Sequence, residues 1–103
     1  MEQALTRARA YAQAGADAIL VHSKASTFDE LKNFARLWSS SKVECPLVVV
    51  PTTFPTVTVS ELQEAGFKVV IFANHAVRTS IKAMGETLAT LRQKGTIQAV
   101  SDR

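Results

Sequence analysis

Three short apolar runs, at residues 18–21, 47–50 and 68–72, constrain this chain more than any other feature of its sequence. Ala18-Ile19-Leu20-Val21 and Leu47-Val48-Val49-Val50 have no polar residue at alternate places, the pattern of strands covered on both faces. Between consecutive runs lies enough chain for a helix and too much for a hairpin, so the strands must be parallel and joined by right-handed helical crossovers.

The intervening stretches carry helical signals. Over residues 2–14, Ala4, Leu5, Ala8, Tyr11 and Ala12 recur at helical spacing, and Gly15 stands where a C-cap belongs. Thr27-Phe28-Asp29-Glu30 has capping-box spacing and precedes an apolar face of Phe28, Leu31, Phe34 and Leu37. Pro46 and Pro51, which donate nothing to a ladder, bracket the second strand. Thr58-Val59-Ser60-Glu61 repeats the capping box, and Gly66 ends the short helix it opens. Over residues 76–93, Val77, Ile81, Met84, Leu88 and Leu91 form a narrow apolar seam, weakened slightly by Gly85 and closed by Gly95; residues 96–103 read as a loosely held tail.

The expected fold class is α/β, four helices alternating with three parallel strands. A faint repeat supports a barrel: Ala14-Gly15 precedes a strand ending at His22, and Ala65-Gly66 precedes one ending near Asn74-His75.

Composition excludes several functions. A net charge of +3 is spread along helix faces without a block of like charge, so nucleic acid is not implied. The apolar runs are far shorter than a bilayer span, and the first residues open a helical pattern instead of a signal peptide; a cytoplasmic protein without membrane contact is expected. The single Cys45 has no partner for an internal disulfide and reads as a small, half-buried hydrophobe.

Polar chemistry gathers at one end of the expected sheet: His22-Ser23-Lys24 after the first strand, Thr52-Thr53 after the second, Asn74-His75 after the third. Ligands bind at that carboxyl end in parallel α/β folds, and imidazole, ammonium, hydroxyl and amide donors suit a small anionic substrate. His22 stands first because it follows a wholly apolar strand, while Arg78, one turn into the last helix, reads as solvated. No carboxylate lies at that end: Asp17 precedes the first strand, and Asp29, Glu30 and Glu61 occupy first turns of helices. With no glycine-rich phosphate loop, Cys-x-x-Cys pair or His-x-x-x-His helix, the chain holds no metal site and no complete catalytic constellation.

The run Ala14-Gly15-Ala16-Asp17-Ala18-Ile19-Leu20-Val21-His22-Ser23-Lys24, with Pro46-Leu47-Val48-Val49-Val50-Pro51-Thr52 and Ala73-Asn74-His75, closely resembles the later part of the phosphoenolpyruvate mutase and phosphonopyruvate hydrolase family, within the isocitrate lyase superfamily. Lyase members usually carry Pro-Glu-Ala where this chain has His22-Ser23-Lys24, which argues against a carboxylate lyase.

The resemblance implies the C-terminal segment of a (β/α)8 TIM barrel, residues 1–103 supplying strands at about 18–21, 47–50 and 68–72 while the N-terminal part of the barrel is missing. It implies a Mg²⁺-dependent isomerase that interconverts phosphoenolpyruvate and phosphonopyruvate, with nucleophile, gating loop and metal ligands outside this segment, which alone would be inactive. His22 would be the active-site histidine that helps hold the phosphoryl group, with Ser23, Lys24, Thr52 and Asn74 as further substrate-binding candidates. The final helix would pack on a neighbouring subunit of a homo-oligomer. Phe54-Pro55 before Thr58 is similar to the hydrolase, whereas Gly66 and Ala73-Asn74-His75 are similar to the mutase, and the reading leans to the mutase. A non-catalytic partial barrel acting as an assembly unit through its unpaired strand edges is the alternative of another class.

Overall fold

The computed structural model describes residues 1–102 of the chain. Seven main elements alternate: α1 (Glu2–Gln13), β1 (Ile19–Val21), α2 (Asp29–Ser40), β2 (Leu47–Val49), α3 (Val59–Ala65), β3 (Phe67–Val70) and α4 (His75–Lys94). The three strands are parallel in the order β1-β2-β3, so the chain is α/β with the repeating unit of a (β/α) barrel. Residues Met1–Ala73 form one compact unit, and a second begins at Asn74.

Within the first unit, a strand order that only advances, joined by crossovers of one hand, brings the helices to one face of the sheet. Leu5 and Ala8 of α1, Leu31, Phe34, Ala35 and Trp38 of α2 and Leu62 of α3 share one core with Ile19, Leu47, Val49 and Phe67. The opposite face carries the cross-strand row Leu20, Val48 and Val69. Leu20 is 54% exposed and Val69 46%. The expectation of strands covered on both faces therefore holds for β2 and fails for β1, and β3 too leaves this face open. An uninterrupted apolar run reports that both faces are apolar, not that this chain supplies both covers.

The register between β2 and β3 shifts at Lys68, which lies between the pairs Leu47↔Phe67 and Val48↔Val69. That extra residue lets Phe67 and Val70 both turn toward the core although three positions apart, while Lys68 stays exposed. It also moves the strand one residue earlier than the apolar run suggests, directly after Gly66.

Most helix ends follow local chemistry, and one departs from it. After α1, Gly15 at φ +105° allows a Schellman closure: its amide donates to the Ala12 carbonyl at 3.1 Å and the Ala16 amide to Tyr11 at 3.0 Å. At α3 the capping box forms in full, the Glu61 amide donating to Thr58 Oγ1 at 3.1 Å and the Thr58 amide to Glu61 Oε2 at 2.8 Å. The box expected at Thr27 does not form. Phe28 is the N-cap of α2, without a side-chain cap, because the Glu30 carboxylate accepts the Ser23 hydroxyl instead.

Cys45 is buried more deeply than expected and its thiol donates to the Ala16 carbonyl at 3.5 Å, while Trp38 Nε1 donates to the Cys45 carbonyl at 3.0 Å. These two bonds tie the entry of β2 to the α1–β1 turn and to α2.

In the second unit α4 runs twenty residues to Gly95, whose φ of +68° ends it. The helix buries no residue, and Val77, Ile81, Met84 and Leu88 are all about three-fifths exposed. The chain then turns through a 3₁₀ segment, Ile97–Val100, where Thr96 Oγ1 accepts the Gln98 amide, and this segment packs back on α4. The expected loose tail is thus an ordered turn as far as the described residues go; Arg103 lies outside them. Among the described residues no helix is long and apolar enough to cross a membrane.

Candidate functional site

β1 and β2 end side by side at the paired residues Val21 and Val49, so the segments that follow them are neighbours. After β1 come His22, Ser23 and Lys24. After β2 the fixed ring of Pro51 starts a 3₁₀ turn, Pro51–Thr53, which presents Thr52 and Thr53. The structure therefore brings His22, Ser23 and Lys24 together with Thr52 and Thr53 at the carboxyl end of the sheet.

His22 is exposed and its ring stands 6.3 Å from that of Phe54, inclined at 42°. Phe54 is 2% exposed and packs on Phe28 at 6.1 Å, so the imidazole borders a fixed aromatic foundation while its edge meets solvent. Lys24 is exposed as well. Both side chains are placed to meet an anion without first breaking a buried contact.

Thr52 Oγ1 is buried without a hydrogen-bond partner among the described residues. A buried hydroxyl left unmatched costs about 1–3 kcal/mol, so a donor or acceptor next to the strand ends is held in reserve there. Ser23 differs. It is 6% exposed; its hydroxyl donates to Glu30 Oε2 at 2.8 Å and accepts the Ala25 amide at 3.1 Å.

Asn74 and His75 belong to the second unit and are described within it. Asn74 is the N-cap residue of α4 and makes no side-chain cap bond; His75 is the first residue of the helix. Sequence reasoning missed Glu30 and Phe54 as parts of the site. Glu30 was absorbed into a capping-box pattern, and the one available signal for Phe54 was a large aromatic three residues after a strand-ending proline.

The chemistry open to this arrangement is anion binding and charge stabilisation by donors. Among the described residues no three of His, Cys, Asp and Glu stand together in a way that could hold a metal ion. An open cleft of about 390 Å³ lies elsewhere, lined by Asp29, Lys32, Glu61 and Glu64 of α2 and α3 but by none of the strand-end residues.

Comparison with known proteins supplies the remaining context. Residues 1–92 match the family described as phosphoenolpyruvate phosphomutase. The chain is 40% identical, over 96% of its length and 33% of the relative's, to the phosphonopyruvate hydrolase of Variovorax sp. (strain Pal2). The crystal structure of phosphoenolpyruvate phosphomutase from Streptomyces platensis subsp. rosaceus superposes with a TM-score of 0.91 and 40% identity, covering 99% of this chain and 34% of that one. A phosphonopyruvate hydrolase in complex with oxalate and Mg²⁺ superposes at 0.88 with 38% identity, covering 98% of this chain and 35% of that one. The chain thus spans about a third of the length of these proteins, as a C-terminal barrel segment of them would. The Mg²⁺ of the hydrolase complex finds no matching ligand set among the described residues here.

Proposed function

The chain belongs to the phosphoenolpyruvate phosphomutase family, and we propose that it is the C-terminal portion of a (β/α)8 barrel enzyme that interconverts phosphoenolpyruvate and phosphonopyruvate. The observation that carries the reading is His22, an exposed imidazole set directly after the apolar strand β1 and against Phe54. In a group transfer of this kind negative charge spreads over the phosphoryl oxygens, and the protein's task is to orient that group and hold its charge. His22 and Lys24 donate to those oxygens. The unmatched Thr52 hydroxyl is a further donor, and Asn74, in the second unit, stays a candidate from its place after β3 in the sequence. Ser23 enters the same site through the turn it builds.

Nucleophile, gating loop and Mg²⁺ ligands come from chain outside this sequence, which by itself does not turn over. The uncovered side chains of Leu20 and Val69 support this, since the remaining strands of a barrel would enclose that face. The protein works in the cytoplasm on a small anionic substrate, as a homo-oligomer joined through α4, whose apolar residues are exposed.

Hydrolysis of phosphonopyruvate to pyruvate and phosphate is the second reading, because the chain is as similar to a hydrolase as to a mutase, 40% identical in each case. Phosphorus NMR of the full-length protein with phosphonopyruvate and Mg²⁺ separates them: phosphoenolpyruvate is expected, free phosphate with pyruvate means the hydrolase, and an unchanged spectrum overturns both in favour of a non-catalytic barrel segment.

A further inference from the structure

Ser23 is the one buried polar residue among the described residues, and it sits between two exposed nitrogen donors, His22 and Lys24. A serine hydroxyl has a single proton. Here that proton goes to Glu30 Oε2 at 2.8 Å, and an oxygen lone pair takes the Ala25 amide at 3.1 Å. The side chain therefore has no proton left for a phosphoryl oxygen, and its two bonds brace the β1–α2 turn: the hydroxyl oxygen accepts the Ala25 amide within the turn, and the hydroxyl proton fastens the turn to the first turn of α2. Glu30 suits the anchoring end because a carboxylate is favoured near a helix N-terminus and a hydroxyl-to-carboxylate bond is a strong one. α2 in turn is fixed by Leu31, Phe34 and Trp38 in the core.

We infer that Ser23 and Glu30 are positioning residues: the Glu30 carboxylate, through the Ser23 hydroxyl, holds the β1–α2 turn so that His22 stands against Phe54 in the orientation the phosphoryl group requires. The inference rests on the reading of His22 as a phosphoryl-binding residue. Misplacing a reacting or binding group by about 1 Å costs up to ~10²-fold in rate, which sets the size of effect to look for.

The test is turnover of phosphonopyruvate by the full-length enzyme carrying Glu30→Ala, Glu30→Gln, Ser23→Ala, His22→Gln and the double variants, each with its melting temperature. Glu30→Ala and Ser23→Ala are expected to lower kcat about tenfold while KM changes little, and combining them should add nothing, because both cut one bond. Glu30→Gln, whose amide oxygen still accepts the hydroxyl, should keep most of the activity. Glu30→Ala should cost nothing further in a His22→Gln background. Equal losses in both backgrounds, or no rescue by Gln, would overturn the positioning role while leaving His22 in the site. Full activity of His22→Gln would instead sink the reading on which the inference rests.

Discussion

Helices α2 and α4 both carry apolar stripes, the one on α2 much the more sharply segregated, and they meet opposite fates. α2 buries Leu31, Phe34, Ala35 and Trp38 within twelve residues, whereas α4 runs twenty residues and buries none. Ile81 is 62% exposed and Leu88 65%. Both patterns encode an apolar face; α2 meets a sheet face within its own unit, and the unit that holds α4 contains no strand among the described residues. Helical periodicity thus specifies what a helix needs and leaves open which chain provides it.

Five substitutions sharpen or break that contrast. The largest effect is expected for Trp38→Ala, which removes a buried ring and its bond to the Cys45 carbonyl; denaturant unfolding should show a loss of about 3–5 kcal/mol. Gly66→Ala comes next. Its added Cβ would meet nothing within 4 Å, yet φ of +110° strains any L side chain, so a loss of about 1–2 kcal/mol in the same measurement would be conformational alone. Thr58→Ala should cost about 1 kcal/mol by removing a formed cap, whereas Thr27→Ala, at the box that does not form, should cost roughly a third of that or less. The smallest effect is expected for Leu88→Ala in the isolated chain at high dilution, within about 0.5 kcal/mol of zero. A cost as large as that of a core leucine there would show that α4 is covered after all, and the contrast with α2 would fall.

The residues that spoke clearly in the sequence were those whose effect is local. Gly15, Gly66 and Gly95 all lie at positive φ at helix ends, and Thr58 with Glu61 makes the box its spacing spells. Pro46 and Pro51 bound β2 as expected. Thr27 and Glu30 show the limit, because the same four-residue spelling gave a different structure once the buried Ser23 hydroxyl competed for the carboxylate. The Lys68 irregularity and the uncovered Leu20 were illegible for a related reason: both depend on what lies across the sheet, and no periodicity along one strand records that. Of the candidate site, the polar cluster at the strand ends was legible from the order of the residues. The orphaned Thr52 oxygen and the Phe54 ring beside His22 required coordinates.

The most direct test of the central claim, that the end of β1 handles the phosphoryl group, is single-turnover decay of phosphonopyruvate by the full-length protein with His22→Gln, followed by phosphorus NMR in Mg²⁺. A rate lower by about 10²–10³-fold at an unchanged melting temperature is expected for the loss of one such donor. A rate equal to that of the unaltered protein would contradict the account, leaving the cluster at His22 as ordinary loop chemistry at the end of a strand.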